Sequence, residues 1–222
     1  MLENRSRQKE LLDEPGIPVA DLERNLYELH VINGWLGGYK ISLNAIRKLT
    51  SPGRVIADIG CGGGDTLKEI GRKIPGVTLV GIDLLPACIQ YCMKNNPAPD
   101  TRFIVDDYRN IFLHIPRVDI LHASLFCHHL GDDEIVELIK LAQRNGSILV
   151  INDLDRNIVA WWSIRLLTAL FSKSRLVKND APLSVARGFL KKEWMELLRR
   201  AGAKKFSVKN KWAFRHEVIV YE

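Results

Sequence analysis

The sequence predicts an α/β fold: one mostly parallel sheet with helices on both faces, closed by an antiparallel hairpin. Three observations carry this. Five short apolar runs between residues 55 and 152 alternate with helix-like stretches, as βαβ units do. The first run opens directly into a glycine-rich loop. After residue 190, one amphipathic stretch precedes two strand-like runs with almost nothing between them, which forces a hairpin.

The elements follow in order. Residues 21–49 place Leu22, Leu26 and Leu29, then Leu43, Ile46 and Leu49, at helical spacing, interrupted by Gly34, Gly37 and Gly38. Two helices joined at a glycine bend are expected. Val55–Gly60 reads as a buried parallel strand and 65–73 as a helix. Thr78–Asp83 is the second strand, and Pro86 opens a helix reaching about Asn95. Phe103–Asp106, Val118–Ala123 and Ser147–Asn152 are the third to fifth strands, with a helix over 132–143 before the last. Residues 158–171 are apolar almost all round a helix. Residues 191–201 form a helix closed by Gly202, and Lys205–Trp212 and Phe214–Tyr221 form the hairpin.

At 222 residues, 46% hydrophobic and 26% charged, the chain suits one well-buried domain. It divides into an N-terminal helical arm (1–50), a nucleoside-binding core (51–153), a helical insertion (154–190) and a final helix with hairpin (191–222). No apolar run follows the first residues, and Ile158–Phe171 is too short to span a bilayer and contains Arg165. Cys61, Cys88, Cys92 and Cys127 show no CxxC spacing. Free thiols in a reducing cytoplasm are therefore expected. The net charge is +6, with ten Lys/Arg between Arg187 and Arg215 against Glu193 and Glu196. No nucleic-acid motif accompanies this patch, so a solvated helix-and-hairpin face is the preferred reading over a nucleic-acid site.

The loop Asp58-Ile59-Gly60-Cys61-Gly62-Gly63-Gly64 lets the backbone lie against a ligand. Asp83 ends the next strand, about twenty residues on, where a carboxylate takes both hydroxyls of a ribose. A dinucleotide fingerprint counted from Gly60 needs glycine at 65, and Asp65 stands there. Its charge opposes a pyrophosphate at that helix start and suits a cationic cofactor.

These residues resemble the class I, Rossmann-like methyltransferases that use S-adenosylmethionine (SAM). Asp58-x-Gly60-x-Gly62-x-Gly64 is similar to their first motif, Asp83 to their ribose-binding acid, and Asp106-Asp107 to the acids that meet the adenine amino group. The resemblance implies a seven-stranded sheet, SAM as cofactor with S-adenosylhomocysteine (SAH) as product, and no metal. The cofactor contacts it implies are Asp58, Gly60, Cys61, Gly62, Gly64, Asp83, Leu84, Asp106, Asp107, Ser124 and Leu125. The segments 32–38, 124–130, 167–184 and 212–215 further resemble a bacterial small-molecule branch associated with polyketide, phenolic-lipid or quinone-like biosynthesis.

That branch implies a phenolic or lipid-like acceptor, methylated on a hydroxyl. Methylation of carbon or nitrogen, a non-catalytic SAM-binding scaffold and an NAD-dependent oxidoreductase remain as alternatives. A phenol benefits from a base poised near neutrality. His128 and His129, after the fourth strand, are the candidates, with no basis in sequence to choose between them. Cys127 lacks the preceding proline of pyrimidine-carbon methylases and is expected to be a buried thiol; His114 and His122 are expected to serve the fold. No second histidine or carboxylate stands at metal-ligand spacing. The apolar helix over 158–171 must be covered by protein, a partner or lipid: packing against the N-terminal arm is the first expectation, and arm and insertion together roofing an apolar pocket is the alternative. Lys173, Arg175 and Lys178 read as a solvated loop by default, or as peripheral contacts for anionic headgroups at a membrane surface.

Overall fold

The computed structural model describes residues 2–14, 16–95 and 101–221. A single-turn helix at Leu11–Asp13 precedes α1 (Val19–Trp35) and α2 (Gly38–Leu49), which meet at Gly37 in the left-handed conformation. The core then runs β1 (Val55–Ile59), α3 (Asp65–Lys73), β2 (Thr78–Asp83), α4 (Pro86–Asn95) and β3 (Thr101–Val105). It continues through α5 (Ile111–His114), β4 (Ile120–Ser124), α6 (Asp132–Arg144) and β5 (Ile148–Leu154). The insertion forms α7 (Ile158–Phe171) and α8 (Arg175–Arg187), and α9 (Lys191–Arg200), β6 (Phe206–Lys211) and β7 (Arg215–Val220) close the chain.

The seven strands form one sheet in the order β3-β2-β1-β4-β5-β7-β6. β1 pairs in parallel with both β2 and β4, while β7 runs antiparallel to β5 and β6. Strand order therefore reverses between β1 and β4, which opens a crevice at their carboxyl ends, where ligands of such sheets bind.

Strand residues alternate between two apolar layers. Ala57, Ile59, Leu121, Leu149 and Val218 face Ile135, Ile139, Trp194 and Leu198 of α6 and α9. Ile56, Leu79, Ile120 and Val150 face Ile46, Leu67 and Ile70 of α2 and α3. Trp194 and Phe189 are fully buried, with ring centroids 4.3 Å apart. Such side chains contribute about 1.5–3 kcal/mol each through lost apolar exposure. α9 stops as predicted: Gly202 donates to Arg199 O and Ala203 to Leu198 O, both at 3.0 Å.

A buried polar chain docks the arm on the sheet. Asp58 of β1 meets His122 Nδ1 at 2.6 Å, and His122 Nε2 lies 2.9 Å from Ser42 Oγ of α2. Asn152 Nδ2 of β5 donates to Ser42 Oγ and Gly38 O, and Arg215 of β7 donates to Asn33 of α1 at 2.9 Å. Each of these side chains thereby gains a partner, which keeps its burial tolerable, although Arg215 Nε makes no hydrogen bond.

One expectation changes. Arg187 and Arg215, counted with the basic patch, are buried; the lysines of α9 and β6 remain at the surface. An apolar helix such as α7 needs cover from protein, a partner or lipid, and within this chain only Ala160 and Thr168 are buried in it. Ile158, Val159, Trp162, Leu166, Leu170 and Phe171 are exposed.

Candidate active site

The crevice holds one large cavity of about 1060 Å³, at the upper end of the roughly 300–1,000 Å³ typical of small-molecule sites. Its floor is the loop after β1. Gly60 has φ 62° and Gly62 φ 51°, a region that side-chain-bearing residues rarely occupy. A Cβ on Gly60 would lie 2.1 Å from the Phe126 ring, whereas one on Gly62 meets nothing closer than 3.8 Å. The first glycine is thus required by a neighbour as well as by its backbone.

Asp83 sits at the end of β2, beside this loop. Its carboxylate accepts the Gly62 N–H at 2.9 Å and the Leu85 N–H at 3.0 Å. Burial raises its pKa, and those two N–H groups oppose the rise. Each oxygen keeps a lone pair for a further donor, as a ribose diol requires. Asp106, after β3, bonds His114 Nε2 at 2.7 Å, Asn110 Nδ2 and the Asp107 N–H, and these hold it at about 2. Asp107 carries Arg109 on both oxygens.

After β4, Leu125 adopts φ 53° and donates its N–H to Asn152 O. Such strain in a non-glycine residue costs on the order of 1–3 kcal/mol and gathers at functional sites. The next turn carries the two histidines. His128 is buried; its Nδ1 lies 2.8 Å from Asp153 Oδ1, and its N–H donates to Asp153 Oδ2. His129, partly exposed, points Nδ1 at Asp13 Oδ1, 3.3 Å away. Glu10 stands before both rings, with Oε1 3.6 Å from His128 Nε2 and Oε2 3.8 Å from His129 Nε2.

Two guanidiniums clamp this turn from behind. Arg187 donates to His128 O and His129 O at 3.1 Å, and Arg5 donates to Leu130 O at 2.7 Å. Burial raises the pKa of Glu10, against the pull of His129, Ser184 and Arg187. Burial also acts on Asp13, but its bond to His129 and the charges of His129 and Arg187 outweigh it and hold Asp13 at about 2. Much of the remaining wall is apolar, with Leu26, Leu29 and Ile32 from α1, Leu36 just after it, and Ile164, Leu167, Val177 and Val185 from α7 and α8; Asn33, Asn157 and Ser163 stand among them.

Of the residues singled out from sequence, Gly60, Cys61, Gly62, Asp83, Leu84, Asp106, Asp107, Ser124, Leu125, His128 and His129 all line this cavity. Asp58 turns away beneath the loop to His122, and Gly64 caps α3 without reaching the lining. Cys127 is fully buried, and burial pushes its thiol well above the usual range, as fits a structural side chain.

The donor set fits a nucleoside carrying positive charge. A bare glycine loop and a paired carboxylate suit a ribose, and Asp65 in the first turn of α3 adds negative charge where a pyrophosphate would otherwise bind. The family model described as "Methyltransferase domain" matches residues 56–145. Over these residues the core of this chain is similar to a methyltransferase domain.

Around those residues the chain keeps the same fold as solved methyltransferases. It is similar to the plantazolicin methyltransferase BpumL in complex with SAH, at TM-score 0.66 and 18% identity over 90% of each chain. It is also similar to human N-acetylserotonin methyltransferase in complex with SAM, at TM-score 0.67 and 17% identity, over 92% of this chain and 56% of that one. A comparison with curated proteins by sequence finds no match.

Outside residues 56–145, several lining residues carry no local sign in the sequence. Glu10 and Asp13 lie in a segment without periodicity, and they reach the histidines from the other end of the chain. Asp153 carried a usable signal, because Asn152-Asp153 interrupts the apolar run of β5 at the carboxyl end where site residues gather.

Proposed function

We propose that the protein transfers a methyl group from SAM to a hydroxyl of a small, largely apolar acceptor, phenolic or lipid-like, leaving SAH and a methyl ether. The observation that carries this is a single cavity with two unlike halves. One half presents the Gly60–Gly62 loop, Asp83 and Asp106; the other presents the side chains of α1, α7 and α8. His128 and His129 line the same cavity.

SAM, when bound, supplies an activated methyl group on a sulfonium. Gly60 and Gly62 admit it, Asp83 takes its ribose hydroxyls, and Asp106 or Asp107 stands on the adenine side. Asp65 contributes negative charge toward its cationic end. The work left to the chain is alignment of the acceptor oxygen and removal of its proton. His128 and His129 are the groups placed for that proton, and Asp153 and Asp13 orient their rings. The apolar wall excludes water and favours an aromatic or acyl acceptor. The solved BpumL complex with a monoazolic desmethylPZN analog and SAH, at TM-score 0.64 and 17% identity, supports a site that takes an acceptor beside the cofactor product.

The deciding experiment is calorimetric titration with SAM, SAH and NADH. SAM and SAH should bind with micromolar affinity and NADH should not. Asp83→Ala should weaken SAM at least about tenfold, since hydrogen bonds to a charged group contribute roughly 1.5–3 kcal/mol each. Failure of folded, cofactor-free protein to bind SAM or SAH would refute the reading.

A further inference from the structure

We propose that Glu10, His128 and His129 hold a divalent transition-metal ion of zinc's class, on the acceptor side of the cavity. One ligand atom from each of the three residues lies within 4.8 Å of the other two. Glu10 Oε1 stands 3.6 Å from His128 Nε2 and Oε2 stands 3.8 Å from His129 Nε2, too long for hydrogen bonds. An ion with bonds of about 2.0–2.1 Å fits between atoms so spaced.

The second nitrogen of each ring gives the stronger argument. Asp153 takes His128 Nδ1 at 2.8 Å, and Asp13 faces His129 Nδ1 at 3.3 Å. A neutral imidazole that donates through Nδ1 presents a bare lone pair at Nε2, and carboxylates oriented in this way accompany metal-bound histidines. Here both Nε2 atoms face the Glu10 carboxylate, and Glu10 and His128 are buried. Ser184 donates to Glu10 Oε1 at 2.8 Å, and a metal ion can bind the carboxylate and both nitrogens at once.

The surrounding charge points the same way. Glu10, Asp13, Asp153 and Asp180 crowd the rings, and among the described residues Arg187 is the one guanidinium paired with any of them. A site of two histidines and one carboxylate is a donor set of catalytic zinc, which keeps a further position open. All three residues line the cavity, so that position faces the acceptor and is available to its oxygen or to water. The existence of the site does not depend on the methyl-transfer reading; its role beside an acceptor hydroxyl does, and with the ion bound the two Nε2 atoms hold metal and no longer serve as the base for that hydroxyl.

The test uses the full chain, stripped with a chelator and titrated with Zn²⁺ and, separately, Co²⁺. One Zn²⁺ per chain should bind, and Co²⁺ should give the intense visible bands of a four-coordinate site. Glu10→Gln and His129→Gln should each weaken Zn²⁺ at least tenfold, and Asp13→Asn by roughly ten- to a hundredfold. Circular dichroism and SAH titration report whether each variant is folded. Absence of stoichiometric Zn²⁺ and Co²⁺ binding to folded wild-type protein would overturn the proposal. So would Zn²⁺ affinity unchanged in a folded Glu10→Gln variant, which would leave the cluster held by protons alone. Intact SAM binding alongside that outcome would spare the methyltransferase reading, whereas loss of SAM binding with Zn²⁺ retained would sink that reading and spare the metal site.

Discussion

Gly60 and Gly62 look interchangeable in the sequence, both being glycines of one loop, and the structure separates them. Both pay the left-handed backbone penalty on substitution, about 1–2 kcal/mol. Only Gly60 also faces the Phe126 ring, 2.1 Å from a built Cβ, while a Cβ on Gly62 would meet Leu26 at an ordinary 3.8 Å. Gly60→Ala should therefore lower the melting temperature clearly more than Gly62→Ala. Equal losses by thermal unfolding would mean that Phe126 gives way freely. Asp106 supports a pH prediction. His114 and the other donors hold it at about 2, below the ordinary carboxylate value of about 3.9. A depressed folded pKa contributes stability above the unfolded value, and that stability disappears as pH falls through the folded one. Wild-type protein should lose stability more steeply than Asp106→Asn between about pH 4 and pH 2. Parallel acid-unfolding curves would show that the carboxylate titrates normally. Asp83 and Asp106 were legible in the sequence because strand ends mark them. The clash at Gly60 was not, since Phe126 follows β4 and meets the loop only through the β1–β4 pairing.

The α7 helix shows where reading by element succeeds and where it stops. Its span, 158–171, was legible from length and apolar composition, and the Asn157 side chain caps it by accepting the Val159 and Ala160 N–H groups. Its surroundings were not legible, because an all-round apolar helix says that something covers it without saying what. Here α8 covers one side, and the other leaves Trp162 58%, Leu166 62% and Phe171 70% exposed. Arg165 lies over both Trp161 and Trp162, and Lys173, Arg175 and Lys178 follow at the helix end. Among the described residues no helix is long and apolar enough to cross a membrane. Apolar side chains rimmed by cations fit the surface of an anionic bilayer. Replacing Trp162, Leu166 and Leu170 with serine should cut sedimentation with anionic vesicles by roughly tenfold or more, with SAM affinity unchanged. Equal sedimentation of wild type and variant would show that this face serves no lipid surface.

At the scale of the whole molecule, the parts that the sequence revealed and the parts it hid fall on opposite sides of one cavity. The half that we propose for the cofactor is built from strand ends close together in the chain, so alternating runs and a spaced motif expose it. The half that we propose for the acceptor joins residues from distant segments: Arg187 reaches Gln8 O and Asp13, and Asp180 accepts the Leu11 and Leu12 N–H groups. Periodicity carries no trace of such contacts, and a charge count assigned Arg187 to the surface because it is blind to burial. This division has a measurable consequence. If the halves are separable, damage to one should move one constant and leave the other. Asp180→Asn removes the charge of a carboxylate that ties the N-terminal turn to α8, while keeping one acceptor oxygen. It should raise amide exchange at Leu11 and Leu12 and lower acceptor turnover several-fold, with SAM affinity within about threefold of wild type. Asp83→Ala should do the reverse, weakening SAM while amide exchange at Leu11 and Leu12 stays as in wild type. A molecule in which Asp180→Asn loosens SAM as much as Asp83→Ala does would have one cooperative pocket. In such a molecule the N-terminal segment would belong to cofactor binding as much as to the acceptor.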